Sequence, residues 1–322
     1  MNNPFFSIVI PSRNRISLFK RAMESVESQQ TQSKFDVEII VVNDGSEHGQ
    51  LSEYRAVIEQ AEFRATMLEL PARENGHGPG FARNTGAAYA SGQFLCFLDD
   101  DDEWTDPQHL LKSWLHLTQN PNHYSLLLTN QIAVDINNIQ QAGPIWTEDL
   151  IDKQAEQVIR ELSLTTLMQS QGFTHLNCLI CSKPLYEAVR GYDEALRYEG
   201  DRDLFIRLAS VAEHIYFSND TVAKHYIPDP SKTVNTSTKV NALQKLQYQI
   251  YSNQKLLILL KHPAVINKCL QHLTYSYKKA AELLAQDKQY QLAYRYAKYA
   301  LATRFNSKWF LFCLYLACRR II

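Results

Sequence analysis

The chain has 322 residues, 45% of them hydrophobic and 21% charged, with 33 basic and 34 acidic side chains and a net charge of −1. Those proportions describe an ordinary globular protein with room for one large domain, or one domain and an appendage. A charge this close to zero argues against a nucleic-acid binder that works through a basic surface.

In chain order, Phe5 to Ile10 is apolar and β-branched and reads as a buried strand stopped by Pro11. Ser17 to Gln30 follows with Leu18, Ala22 and Val26 at helical spacing. Val37 to Val42 is a second strand, ending in Asn43-Asp44-Gly45-Ser46, and Leu51 to Glu62 is helical. Ala65 to Leu70 is a third strand closed by Pro71. The glycine-rich loop Asn75-Gly76-His77-Gly78-Pro79-Gly80 then opens a helix carrying Ala82, Gly86, Ala87 and Ala90. Phe94 to Leu98 is the fourth strand. Alternation of this kind predicts an α/β fold, a mostly parallel Rossmann-like central sheet with helices on both faces. Ligands of such sheets bind at the carboxyl ends of the strands, where Asp44, the glycine loop and an acidic cluster all fall.

Beyond these, Ser125 to Thr129 and Gln131 to Asp135 read as one or two strands, Asp149 to Met168 as mostly helical, and His175 to Ser182 as a strand. A short helix starts at Pro184, a longer one spans the acid-rich Gly200 to Ala209, and Tyr216 to Val222 is a strand. From Lys239 glycine vanishes and helical periodicity takes over, with helices at Leu256 to Lys261, Val265 to Gln286, Tyr290 to Thr303 and Trp309 to Arg320. Ala280, Leu284, Ala293, Tyr296 and Ala300 suggest one helical hairpin like a tetratricopeptide unit, too few for an array. The six cysteines lie mostly in apolar runs and read as reduced core residues of a cytosolic protein, Cys178-x-x-Cys181 included. The start of the chain shows no signal-peptide pattern, and no apolar run reaches the roughly 20 residues of a membrane span.

The stretch that organises the chain is Phe94-Leu95-Cys96-Phe97-Leu98-Asp99-Asp100-Asp101-Asp102-Glu103-Trp104. Adjacent carboxylates at a buried strand end repel one another and call for a counter-charge. A divalent cation with hard oxygen ligands, Mn²⁺ or Mg²⁺, supplies it and leaves positions for phosphate oxygens. The bland alternative, an acidic turn capping the next helix, is already served by Asp106 before Pro107.

Taken together, Ser7 to Arg15, Val41-Val42-Asn43-Asp44-Gly45-Ser46, Ala82-Arg83-Asn84-Thr85-Gly86, Phe97 to Trp104, Gly191-Tyr192-Asp193-Glu194 and Asp201-Arg202-Asp203-Leu204 resemble a family 2 glycosyltransferase of the GT-A fold. The resemblance runs from Phe5 to His225 and implies a catalytic domain over residues 1–238, with a nucleotide-sugar half to about 104 and an acceptor half over 105–238. A helical region, 239–322, follows. It implies a nucleotide-sugar donor, most often a UDP-sugar, and inverting, non-processive transfer to a glycan or lipid-linked acceptor of a bacterial surface glycan. In the family pattern Asp44 accepts from the ring N–H of the base, Pro11 and Arg13 line the nucleotide, and Gly78 and Gly80 let backbone approach it. Arg83 offers a fork to base or phosphate. Asp99 and Asp101 match the D-x-D signature, Asp101 as the metal ligand and Asp99 toward the ribose or sugar. The extra acid leaves the register open by one residue, so Asp100 and Asp102 remain alternatives. Asp201 is the expected base, although the acid that normally precedes it is Gly200 here. His225 follows the last strand, where relatives contact metal or diphosphate. Pro228 to Lys239 reads as a loop able to fold over the donor.

Competing assignments fare worse. A nucleotide-sugar pyrophosphorylase wants a glycine-rich loop after the first strand, and a dinucleotide dehydrogenase wants G-x-G-x-x-G there; the chain has Pro11-Ser12-Arg13-Asn14-Arg15. An inactive GT-A scaffold or sugar-binding module is the non-enzyme alternative, supported by Gly200. The last helix, Trp309 to Arg320, is apolar nearly all round and too short to span a bilayer. Packing on the rest of the chain, homodimer formation and peripheral contact with the inner face of the cell membrane are its three possible uses.

Overall fold

The computed structural model describes residues 5–121, 123–135, 139, 147–152, 159–228 and 239–320. It divides into one unit of Met1–Ala195 with Gly200–Asp229 and a second of Leu196–Glu199 with Pro230–Ile322. The expected lid lies largely in 229–238, outside the described residues.

In the first unit β1 (Phe6–Ser12), β2 (Val37–Asn43), β3 (Arg64–Glu69) and β4 (Phe94–Phe97) run parallel in the spatial order β3-β2-β1-β4. They are linked by α1 (Ile16–Glu27), α2 (His48–Glu59) and α3 (Pro79–Tyr89). Side chains alternate between the two faces of a strand. Phe6, Ile8 and Ile10 of β1, with Phe94 and Cys96 of β4, join one cluster with Phe19 and Val26 of α1, Tyr54 of α2 and Leu110 of α4 (His109–Gln119). The residues between them point the other way. A Cβ on Gly86 of α3 would stand 2.4 Å from Val9, and Phe97 meets the rings of Tyr186 and Tyr192. Both faces of the parallel half are therefore covered, as continuous apolar strands require. β1 continues through Pro11, one residue beyond the expected stop. Pairing with β4 ends at Val9, so the N–H that proline lacks leaves no ladder bond open on that side.

Across β4 the direction changes. β8 (Leu179–Ser182) is antiparallel to β4, and β6 (Ser125–Val134) is antiparallel to β8. The long β9 (His214–Tyr226) runs parallel to β6 and also pairs with β5 (Glu103–Trp104) and β7 (Ile159–Glu161). The tip of β4 thus faces the residues that lead into β8, and the end of β9 arrives beside β5. The remaining helices of this unit are α5 (Leu164–Gln169), α6 (Lys183–Ala188) and α7 (Gly200–Val211).

Of the one or two strands expected there, β6 is one, with irregular pairing between Leu128 and Gln131. Two expectations are corrected. The stretch expected to be helical over 149–168 holds a 3₁₀ turn (Glu148–Leu150), β7 and α5, with 153–158 outside the described residues. Pairing of Ile159 to Glu161 with β9 outweighs local helix propensity there. His175 to Ser182 is a 3₁₀ turn (Leu176–Cys178) before β8 rather than all strand. Cys178 and Cys181 are buried, and burial pushes both thiols up, as core residues should behave.

The second unit contains α8 (Ala242–Leu259), α9 (Pro263–Gln286), α10 (Tyr290–Thr303) and α11 (Ser307–Arg319). α8 begins well before Leu256 because Asn241 and Gln244 form a capping box, which starts a helix in an otherwise polar run. α9 and α10 make the expected hairpin, with Ala281, Leu284, Ala293 and Ala297 in one cluster with Cys313 and Leu316 of α11. No helix among the described residues is long and apolar enough to cross a membrane.

Gly86 gives a direct test of the α3 contact. An added methyl would overlap Val9 and crowd Val42 at 3.1 Å. Overpacking costs about 1–3 kcal/mol, against a helix-propensity gain of about 1 kcal/mol. Gly86→Ala should therefore lower stability by up to about 2 kcal/mol, read as a lower urea midpoint; an unchanged midpoint would show that α3 is not held this tightly.

Candidate active site

The four aspartates leave β4 in four directions. Asp99 accepts from Arg83 Nη2 at 2.5 Å, and its backbone N–H donates to Asn177 Oδ1. Asp100 accepts from Ser12 Oγ at 2.6 Å and Arg15 Nη1 at 3.0 Å. Asp101 accepts from the same Arg15 nitrogen at 3.0 Å, and its carbonyl takes Arg21 Nη2. Asp102 is fully buried and accepts from Asn177 Nδ2 at 2.5 Å and the Tyr226 backbone N–H at 2.8 Å, with His225 Nδ1 at 2.9 Å.

Asp99, Asp100 and Asp101 share the guanidinium groups of Arg83 and Arg15 while Asp102 faces His225, and the crowding of acids is visible in their acidity. Burial, then Asp102 and Asp100, push Asp101 up to about 8. Burial alone would lower His225, but Asp102 overrides it and raises the imidazole to about 9. His175, buried beside His225 with ring centroids 4.9 Å apart, is pushed down by burial and by that neighbour. Ligand atoms of Asp99, Asp101 and Asp102 lie within 4.8 Å of one another, as do those of Asp102, His175 and His225. Carboxylate oxygens in excess of their cationic partners, with imidazole alongside, fit a divalent cation such as Mn²⁺ or Mg²⁺.

Beside the same Arg83 stands Asp201, in the first turn of α7. Its Oδ1 accepts from Tyr192 Oη at 3.1 Å and faces Arg83 Nη1 at 3.4 Å. Its Oδ2 faces His175 Nε2 at 3.8 Å, beyond hydrogen-bond reach. Arg83 is 6% exposed and lies 5.0 Å from the Tyr192 ring centroid. One guanidinium therefore spans the acidic tip of β4 and the start of α7, a hundred residues downstream. Asp203, fully buried, pairs with Arg207 at 2.7 Å, as an i, i+4 partner should. Arg207 also donates to the carbonyls of Val189 and Gly191 and so fixes the turn that precedes Tyr192.

A second cluster occupies the tips of β2 and β3. Asp44 accepts from the His77 and Gly78 backbone N–H groups at 2.7 and 3.0 Å and contacts His77 Nδ1 at 2.9 Å. It thereby shapes the glycine loop. Gly76 (φ +61°) lies so close that a Cβ would sit 2.4 Å from Asp44 Oδ2, and Gly78 has φ +104° before α3. A Cβ on Gly80 would stand 3.4 Å from Tyr192, so this glycine seats α3 against the segment that carries Tyr192. Arg13 donates to the carbonyls of Arg73 and Glu74. Arg13, Asn43, Ser46, Leu70 and Arg73 are among the residues that line a cleft of about 480 Å³. Asn43 Oδ1 accepts from the Ser46 N–H, which fixes the amide orientation, and its buried Nδ2 finds no hydrogen-bond partner among the described residues.

The structure thus gathers Arg83, Asp99, Asp100, Asp101, Asp201 and His225 at one place, and Arg13, Asp44 and Gly78 at another. Pro11 and Ser12 at the end of β1 lead from one to the other. Asp100 is engaged by Ser12 and Arg15 and lies outside the cation-competent groups, whereas Asp102 belongs to both. Sequence reasoning missed His175, Asn177, Tyr192, Arg15 and Asn43. The only signal for the first two was a pair of polar residues in an otherwise apolar run.

A family model described as glycosyl transferase family 2 matches residues 7–178. The chain belongs to this family. It is 38% identical over 203 residues to an uncharacterized glycosyltransferase of Haemophilus influenzae, covering 63% of this chain and 61% of the relative. It is 27% identical over 210 residues to the succinoglycan biosynthesis protein ExoW of Rhizobium meliloti, covering 62% of this chain and 61% of the relative. A match of 33% over 101 residues, 31% of this chain and 30% of the relative, reaches the Campylobacter jejuni GalNAc(5)-diNAcBac-PP-undecaprenol beta-1,3-glucosyltransferase. The chain spans about three fifths of the length of the first two relatives. Among solved structures, S. aureus TarS 1-349 in complex with UDP-GlcNAc superposes with a TM-score of 0.66 at 16% identity, over 92% of this chain and 81% of that one. The mannosyltransferase PcManGT from Pyrobaculum calidifontis, in complex with GDP-Man and Mn²⁺, gives 0.58 at 14% identity, over 100% and 82%. At these identities the likeness establishes the fold, GT-A, with its mostly parallel sheet.

The two acids of α7 should separate by phenotype. Asp203→Ala leaves the Arg207 charge buried without its carboxylate, a change that costs about 3–5 kcal/mol. Asp201→Asn, at a partly exposed side chain, should change stability by no more than about 0.5 kcal/mol. Equal losses of stability would mean that Asp201 is a framework residue.

Proposed function

We propose that the chain transfers a single sugar from a nucleotide-sugar, a UDP-sugar, to a hydroxyl of a glycan or lipid-linked acceptor in bacterial surface-glycan synthesis, with inversion at the anomeric carbon. The catalytic domain is residues 1–238, and 239–322 are appended to it. One observation carries the proposal: Arg83 bonds Asp99 and reaches Asp201, so the acidic tip of β4 and the carboxylate of α7 meet at a single side chain. The names of ExoW and of the undecaprenol-linked glucosyltransferase support a surface glycan and a lipid-linked acceptor, and the ligands of the two solved structures support a nucleotide-sugar and a cation.

The base of the donor enters the cleft beside Arg13, Asn43 and Arg73. Asn43 Nδ2 donates to an exocyclic carbonyl of the base. A carboxylate has about four lone-pair sites, so Asp44 holds the glycine loop and still accepts the ring N–H. Asp102, with Asp101 on one side and His225 on the other, would hold a divalent cation, which would supply positive charge to the diphosphate leaving group. Asp99 orients the sugar and is itself held by Arg83. Asp201 removes the proton of the attacking hydroxyl through Oδ2, while Tyr192 and Arg83 keep Oδ1 in place. Attack opposite the leaving group, with one base and no covalent intermediate, inverts the centre. At Gly200 a Cβ would lie 3.5 Å from Tyr192, an ordinary contact, so the position has room for the usual acid but does without it.

With a panel of nucleotide-sugars, donor hydrolysis or transfer should vanish in EDTA and return with Mn²⁺ or Mg²⁺. Asp201→Asn should lower kcat by about 10²–10⁴-fold with KM nearly unchanged. Failure of every donor to bind, measured by thermal stabilisation in the presence of Mn²⁺, would favour the inactive scaffold.

A further inference from the structure

The near-zero charge of the whole chain conceals a division. Residues 239–320 hold fourteen Lys and Arg against two acids, Glu282 and Asp287, and so carry +12 within a chain of −1. The same unit displays an unusual share of exposed apolar surface. Ile258, Leu259, Phe305 and Leu311 are 73%, 57%, 76% and 65% exposed. On α11, Phe310, Leu311, Leu314 and Tyr315 are all exposed, and Cys318 continues the stripe, while Cys313 and Leu316 on the opposite side are buried. At 100° per residue these five positions fall on one face. Lys308 and Arg319 lie together along the Tyr315 edge of that stripe on the helical wheel, and both are exposed. Basic side chains of this unit also lie over aromatic rings: Lys278 over Trp309, and Arg320 over Tyr294.

An exposed apolar stripe bordered by basic residues, on a helix too short to span, has the character of an interfacial helix. Soluble monomers rarely leave such a face open. A nucleic acid would satisfy the charge but has no use for Leu311 and Leu314. A second copy of this unit would satisfy the apolar face but would bring two strongly positive bodies together. An anionic bilayer satisfies both.

We infer that the helical unit docks on the surface of an anionic lipid membrane, with the Phe310, Leu311, Leu314 and Tyr315 face of α11 inserted at the headgroup boundary and Lys308 and Arg319 at the phosphates. The inference does not rest on the proposed transferase activity, and its test reads no turnover.

The test is vesicle flotation of the full chain. Vesicles of phosphatidylcholine with about 30% phosphatidylglycerol should carry the protein up, and vesicles of phosphatidylcholine alone should not; 0.5 M NaCl should weaken binding about tenfold or more, as expected for an electrostatic component. Leu311→Glu with Leu314→Glu should reduce binding to the anionic vesicles by about tenfold or more, from lost apolar insertion and added repulsion. Both positions are exposed, so the circular-dichroism melt should be unchanged; if it is not, Leu311→Gln alone serves as the second variant. Lys308→Gln with Arg319→Gln should weaken binding and flatten its salt dependence. No flotation with anionic vesicles, or equal flotation with neutral ones, overturns the inference. A concentration-dependent dimer abolished by the Leu311 and Leu314 changes, without flotation, would assign the face to a second copy. Tight binding of an oligonucleotide without flotation would assign the charge to nucleic acid.

Discussion

Four consecutive carboxylates at the end of a buried strand are the constraint around which this structure is arranged. Two like charges about 4 Å apart repel by about 4 kcal/mol at an effective dielectric of 20. Left unpaired, they would oppose the folding of the strand that presents them. The chain answers by sending each aspartate to a different neighbour. Arg83 comes from α3, Ser12 and Arg15 from the end of β1, Asn177 from the approach to β8, and His225 and the Tyr226 N–H from β9. The acidic tip therefore joins the parallel half of the sheet to the mixed half. The switch of strand direction at β8 makes this possible, because it brings the start of one strand beside the end of another.

The compensation is uneven, and the unevenness is where chemistry enters. Asp99, close to Arg83, is held below its ordinary range despite its burial. Asp101 shares one arginine nitrogen with Asp100 and keeps a proton to about 8. A site that binds a cation must hold back some of its own positive charge, or nothing remains for the ion to neutralise. Arg83 has a different task. Its planar fork reaches two carboxylates at once, which a lysine, as a point charge, could not do with fixed geometry. The position of Asp201 relative to the β4 tip thereby becomes a property of one rigid side chain.

Local signals revealed much of this, and pairwise ones did not. Strands β1 to β4 and helices α9 to α11 are carried by continuous apolar runs or long helical periods, and these were legible. β7 is three residues long and exists only because β9 offers it an edge. The direction of β8 is likewise a relation between strands, absent from either alone. In the site, the motif residues were legible as types, but the aspartate register was not. Which of four identical residues faces inward depends on Asn177 and His225, 75 and 123 positions away. His175 carries no periodic or motif signal, and its role beside Asp99 and Asp201 is created by folding. The basic character of the helical unit was present in the sequence and was lost by summing charge over the whole chain.

That sum also hides a functional tension. With +12 in residues 239–320, the first 238 residues carry the compensating excess of acid, and on average they repel anionic groups. Screening limits this repulsion to about 8 Å at physiological ionic strength, which leaves the outcome to the groups nearest the ligand. Those groups are the exception to the acidic average: Arg13 and Arg73 line the cleft, and Arg15 and Arg83 stand at the β4 tip. The same distribution of charge therefore leaves a basic helical unit and an acidic remainder, with cationic side chains gathered at the cleft and the β4 tip.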